Sequence, residues 1–197
     1  MLRKISVAGA VVLTMAGVVT VGTASAASAA PKAKCWVGSW KVTTAKVKID
    51  DVKKNLHVIA VGGAGAKVKL AKNGTAYYNF TGSKGITGKG LAGGLTTSVT
   101  VKLSKKLTVP GKLAGSKKGK FTGKVAKAKG DAVATVKVSL PPLTIKLALA
   151  KAAKSGGDYG VVPKKATYTC SGKNLTFHQK SVAKGITTVS DWKLKRS

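Results

Sequence analysis

The sequence predicts an all-β protein: an antiparallel up-and-down barrel of eight to ten strands, with a β-sandwich as the alternative. Three observations predict it. Apolar and polar residues alternate through most of the chain after Cys35, the pattern of half-buried strands. Turn residues part the alternating runs, most clearly at Lys72-Asn73-Gly74. No stretch holds a long helical period; Leu147 to Lys154 predicts only a short helix.

Residues 1–29 read as a signal peptide. Arg3 and Lys4 start it, Ile5 to Val21 is apolar and uncharged, and Ala24-Ser25-Ala26-Ala27-Ser28-Ala29 offers small residues for cleavage after Ala29. A retained membrane anchor is the alternative, although the apolar run is short for a span. Lys32-Ala33-Lys34 before Cys35 lacks the small and apolar residues that a lipid-modified cysteine needs, so no lipid anchor is expected. Residues 30–197 then form one secreted domain, in the medium or on the cell wall.

The first strand runs from about Trp36 to Ile49. Trp36, Gly38, Trp40 and Val42 share one parity, while Ala45, Val47 and Ile49 share the other, so a bulge is expected near Thr43-Thr44. Asp50 to Gly65 reads as a long connection. Ala66, Val68 and Leu70 alternate with lysines, turn at Asn73-Gly74, and return as Thr75 to Phe80. The glycine-rich residues 81–95 read as a loop or a weak strand. Thr97, Val99, Val101 and Leu103 form an inward face; Leu107 to Leu113, interrupted by Pro110, reads as an edge strand. Phe121, Gly123 and Val125 come next, then a Lys129-Gly130-Asp131 turn. Ala132, Ala134, Val136, Val138 and Leu140 form one inward face and Leu143, Ile145, Leu147 and Leu149 another, across Pro141-Pro142. Ser155 to Pro163 is a loop. Tyr168 and Cys170, then Leu175, Phe177 and Gln179, then Ile186, Trp192, Leu194 and Arg196 mark three closing strands.

The formal charge is +31, and removal of Arg3 and Lys4 with the leader leaves +29. Five acidic residues, all Asp, stand against it, and Arg196 is the one arginine of the processed chain. Such a charge opposes compaction and attracts polyanions. Lysine lacks the planar fork of arginine with which bases are read, so an unselective electrostatic surface is expected. The densest cluster is Lys117, Lys118, Lys120, Lys124, Lys127 and Lys129. The expected partners are anionic cell-wall polymers, an anionic membrane surface or extracellular nucleic acid, bound non-specifically by a monomer. Lysines guarding strand edges are the ordinary alternative for any one of them.

Catalytic chemistry is poorly provided for. His57 stands near Asp50 and Asp51, His178 is on a solvent-facing parity, and no Ser or Cys sits in a nucleophile motif. Two histidines without ligand spacing predict no metal site, and no cofactor is expected. Gly62-Gly63-Ala64-Gly65 precedes a strand and not a helix, so it does not predict a phosphate cradle. Two cysteines in an exported chain are most simply one disulfide, Cys35–Cys170, with free thiols or an intermolecular pair as alternatives. That bridge would be worth about 4–5 kcal/mol.

Gly38-Ser39-Trp40 on the first strand matches the G-x-W of the lipocalin and wider calycin group. Together with Cys35-Trp36-Val37, Gly63-Ala64-Gly65, Asn73-Gly74-Thr75, Tyr168-Thr169-Cys170-Ser171-Gly172 and the terminal Trp192-x-Leu194-x-Arg196, the chain resembles small secreted lipocalin-like proteins of actinobacteria. The resemblance implies a barrel with an internal cavity, a small hydrophobic ligand as the second functional expectation, and no catalytic residue. It also implies that Gly38, Trp40, Trp192 and Arg196 close one end of the barrel, with Arg196 against Trp40.

Overall fold

A kink in the first strand divides the sheet. β1 (Gly38–Asp51) buries Trp40 and Val42 on one parity and Ala45 and Val47 on the other, and its register shifts between Val42 and Thr44. The extra residue of this bulge turns both apolar sets toward the same side. Residues 38–41 therefore pair with one neighbour and residues 45–51 with another, while a third strand runs along the opposite edge. The computed structural model describes residues 34–155, 162–183 and 185–197. The expected signal peptide, and most of the expected loop at 155–163, lie outside the described residues.

The further strands are β2 (Leu56–Gly62), β3 (Lys67–Leu70), β4 (Ala76–Asn79), β5 (Ile86–Ala92), β6 (Leu95–Ser104), β7 (Lys106–Val109) and β8 (Gly111–Ala114). Then follow β9 (Lys118–Gly123), β10 (Lys129–Gly130), β11 (Val133–Val138), β12 (Leu143–Ala148), β13 (Lys165–Ser171), β14 (Asn174–Ala183) and β15 (Ile186–Arg196). Among the described residues one α-helix, α1 (Leu149–Lys154), buries Leu149 and is built of Leu, Ala and Lys, all good helix formers. All fifteen strands among the described residues belong to one sheet, and every pairing is antiparallel.

The main order is β12-β11-β6-β5-β2-β1-β15-β14-β13-β9-β8, and a branch β3-β4-β7-β10 leaves β1. The all-β class and the antiparallel pairing are as the sequence predicts. An up-and-down barrel of eight to ten strands is not what the pairing describes: β1 has three neighbours, and the main order ends at β12 and β8. Nor is it a pair of separate sheets. The expected long connection after Asp50 contains β2, and the glycine-rich stretch contains β5. These two pair with each other, and Gly88 shows why β5 is short of side chains. A Cβ there would stand 2.0 Å from the Ile59 carbonyl oxygen on β2, so only glycine lets the two main chains approach on this face.

The expected edge strand from Leu107 to Leu113 is two strands, and β7 lies between β4 and β10. The inward face expected for residues 143–149 is only partly so: Leu149 is buried, but Leu143 and Ile145 are exposed, because β12 ends the sheet. The inward face expected from Ala132 to Leu140 also fades: Ala132 and Ala134 are buried, Val136 and Val138 are half-buried, and Leu140 is exposed at the turn. On the closing strands the alternation holds. Tyr168 and Cys170 on β13, Leu175, Phe177 and Gln179 on β14, and Trp192 and Leu194 on β15 are buried. The core is aromatic-rich, with Trp36, Trp40, Phe80 and Phe121 almost wholly buried and Phe121 edge-on to Phe177 at 6.0 Å. Burying one tryptophan removes roughly 150–250 Å² from water, about 4–6 kcal/mol as an upper bound.

Candidate functional site

The residues expected to close the fold meet at the start of β1. Cys35 and Cys170 form a disulfide across 135 residues, with their Cα atoms 6.0 Å apart. Arg196 lies opposite Trp40 in the β1–β15 register, and its guanidinium sits 4.5 Å from the Trp40 ring centre. The same group donates hydrogen bonds to the carbonyl oxygens of Cys35 at 2.6 Å and Val37 at 3.1 Å. Gly38 makes room for it: with φ at +136°, a Cβ would stand 2.7 Å from Arg196 Nη1. Trp36 and Tyr168 both donate to the Gly115 carbonyl oxygen, at 3.1 and 2.8 Å, tying the turn after β8 to the same corner. Burial raises the Tyr168 phenol, and the Trp36 hydrogen bond partly offsets the rise. Trp192 is buried on β15 beside Phe177 in the register, away from the Arg196 guanidinium contacts.

The other face of the sheet carries the charge. Lys41 on β1 lies directly opposite Lys195 on β15 and directly opposite Lys67 on β3. All three are exposed, so three ammonium groups stand in one cross-strand row. Like charges directly opposite each other oppose pairing. The row continues from Lys67 to Asn79 on β4 and Lys106 on β7. One register step away, Lys69 is opposite Ser39 and Tyr77. Lys67, Lys69 and Lys106, with Tyr77, Asn79 and Thr108, line a groove of about 390 Å³. Tyr77 is 42% exposed there, an apolar ring amid cations.

The lysines singled out from sequence are divided by the fold. Lys118 and Lys120 stand on one face of β9, opposite Thr169 and Thr167 of β13. Lys120 lines a second groove of about 390 Å³ with Lys165, His178 and Lys180. Lys117 precedes β9, Lys124 precedes and Lys127 ends a 3-10 turn at Val125–Lys127, and Lys129 lies on β10 opposite Thr108. All six are exposed. Sequence reasoning missed Lys41, Lys67, Lys69, Lys195 and Tyr77. Their parity was visible, but they come from four strands, and only the register makes them neighbours.

Both histidines pair with aspartates. His57 lies on β2, not in a loop, and hydrogen-bonds Asp50 across the β1–β2 ladder. His178 Nδ1 is 2.7 Å from Asp191 Oδ1 across the β14–β15 ladder. Desolvation acts to raise the Asp50 carboxyl, but the hydrogen bonds from His57 and Lys48 outweigh it, so its pKa falls below the ordinary value. Among the described residues no three His, Cys, Asp or Glu side chains are grouped to hold a metal ion, and no helix is long and apolar enough to cross a membrane. No family model, no curated protein and no solved structure matches the chain.

Proposed function

We propose that this chain is a secreted, non-enzymatic β-protein that holds anionic polymers of the cell envelope on the lysine face of its sheet. The observation that carries the reading is the row Lys67–Lys41–Lys195. Three like charges set opposite one another weaken the ladder that contains them. Folding gains nothing from the arrangement, whereas a chain of phosphates laid across β3, β1 and β15 would. The adjoining groove adds Lys69 and Lys106 for further anionic groups and the Tyr77 ring for the sugar or polyol between them. Other polyanions, including nucleic acid, would meet the same charges. The lipocalin-like reading is supported by a run of paired neighbours, β8, β9, β13, β14, β15, β1, β3, β4 and β7, whose two ends are joined in sequence through Pro110 and not by pairing. Barrel-like curvature along that run would turn the lysine row outward.

Substitution of Lys41, Lys67 and Lys195 by Gln tests the reading. Binding to an immobilised teichoic-type polymer should weaken, and the slope of log affinity against log salt should fall by about 2–3 for three lost contacts. The same variant should be more stable, by about 0.2–1 kcal/mol for each repulsive pair removed. Unchanged salt dependence, with the fold intact, sinks the proposal.

A second reading, carriage of a small molecule inside the fold, has one observation in its favour. Ser190 Oγ and Trp192 Nε1 are buried without a hydrogen-bond partner. A buried polar atom left unpaired costs about 1–3 kcal/mol, which an enclosed ligand or water would offset. Native mass spectrometry of protein from its own host distinguishes this: an adduct mass supports carriage, and its absence dismisses it.

A further inference from the structure

Eight strands adjacent in space, in the order β12-β11-β6-β5-β2-β1-β15-β14, are joined as four consecutive hairpins: β11–β12, β5–β6, β1–β2 and β14–β15. Each hairpin turns at the same end of the sheet, since Asp51 is opposite both Leu56 and Ile186, Leu56 is opposite Ala92, and Val138 is opposite Val99 and Leu143. Every one of the four tips projects large apolar side chains into solvent: Leu140 and Leu143, Leu91 and Leu95, Val52, and Val182. Val52 is 90% exposed, Val182 67% and Leu95 61%. Scattered apolar residues on a surface need no explanation, but six gathered on four neighbouring tips do.

Behind the tips of β5–β6, β1–β2 and β14–β15 stands a row of cations, and Leu143 at the β11–β12 tip lies beside that row, since it is opposite Val138, Val138 is opposite Val99, and Val99 is opposite Gly88 next to Lys89. Lys48, Lys89 and Lys180 share one register level, since Lys48 and Lys180 both face Val189, and Lys48 and Lys89 both face Ile59. Each lies three residues before the end of its strand (Asp51, Ala92 and Ala183), or about 10 Å at the rise of a β-strand. Lys53 adds a charge at the β1–β2 tip itself, where Asp51 also stands, and Lys48 is offset by Asp50 at 3.2 Å, so Lys89 and Lys180 contribute most of the row's charge.

The two layers match the two layers of a bilayer surface, and we infer that this end of the sheet docks on anionic lipid membranes. Interfacial segments bury apolar side chains about 5–10 Å into the headgroup and acyl boundary. Tips inserted to that depth bring the lysine row to the level of the lipid phosphates, where each cation adds attraction that salt weakens. A protein partner would favour one continuous apolar patch; separate tips with turns between them fit a fluid surface that fills the gaps. This surface is distinct from the Lys67–Lys41–Lys195 row, so failure of either proposal leaves the other standing.

The test compares the full chain with the variant Val52→Ser/Leu95→Ser/Val182→Ser, both carrying the same N-terminus, in sedimentation with phosphatidylcholine vesicles holding about one quarter phosphatidylglycerol. All three side chains are exposed, and circular dichroism checks that the fold survives. Affinity should fall at least tenfold in the variant. Because charge alone could hold the protein near the vesicles, an environment-sensitive fluorophore is placed at position 95 and, separately, at exposed position 173, in the β13–β14 turn at the far end of β14. On binding, emission should shift to the blue at position 95 and be quenched by lipids labelled in the acyl chain, while position 173 stays unchanged. Equal binding by the variant, or a bound protein whose position 95 shows neither shift nor quenching, overturns the inference.

Discussion

Arg196 is where one side chain does what no lysine of this chain can. Its planar guanidinium covers the Trp40 ring while two of its nitrogens reach the Cys35 and Val37 carbonyl oxygens. Lysine offers a point charge without the fork. Replacing Arg196 by Lys should therefore cost about 1–2 kcal/mol, read as a lower urea midpoint with an unchanged slope. The G-x-W motif has its physical reason in the same contact, because a side chain at Gly38 would collide with the guanidinium. Asp50 is the residue whose charge state bears on stability. Its folded pKa lies below its unfolded value, so its contribution is complete above the ordinary carboxylate pKa near 3.9 and is lost as pH falls below that through the folded value. A urea midpoint followed from about pH 5 to pH 2 should fall less steeply in Asp50→Asn than in the parent.

At the scale of elements, the legible parts were those where side-chain parity reports burial. The change of parity along β1 marked its bulge, and the Asn73-Gly74 turn marked the β3–β4 hairpin, closed by the Ala71 N–H to the Thr75 carbonyl oxygen at 3.0 Å. β2 was missed because Leu56 to Gly62 follows a polar turn and ends in the glycines that resemble a linker. β5 was legible only as a loop or a weak strand because, beside the buried Ile86, its inner face carries Gly88 and Gly90, and the pattern depends on side chains that the packing forbids there. Gly88→Val should accordingly be among the most damaging single changes, with a loss of about 3 kcal/mol or more, or no soluble protein at all. Thermal unfolding or yield of folded protein would show it. A neutral outcome would mean that β2 and β5 can separate. β12 taught the opposite lesson: perfect alternation at Leu143 and Ile145 did not ensure burial, since an end strand has nothing to cover that face.

For the whole molecule, one covalent link and one charge imbalance set the terms. The Cys35–Cys170 bridge closes a loop of 135 residues, worth about 5 kcal/mol through the entropy of the unfolded chain. The double variant Cys35→Ser/Cys170→Ser should lose a stability of that order, measured by denaturant titration, and more at low salt, where the net charge of +31 repels itself most strongly. The amino-acid sequence by itself determined the all-β class, the parity of most strands, the bulge in β1, the partners of the disulfide and the sign of the surface, because each depends on local alternation or simple composition. Tertiary structure alone decided that β1 has three neighbours, that Lys41, Lys67 and Lys195 form one row, and that four apolar tips share one end. The physical reason is that a β-strand specifies which side chains point together but not which strand lies beside it. Register and strand order arise from pairing across long stretches of chain, and in this protein the candidate surfaces are built from register.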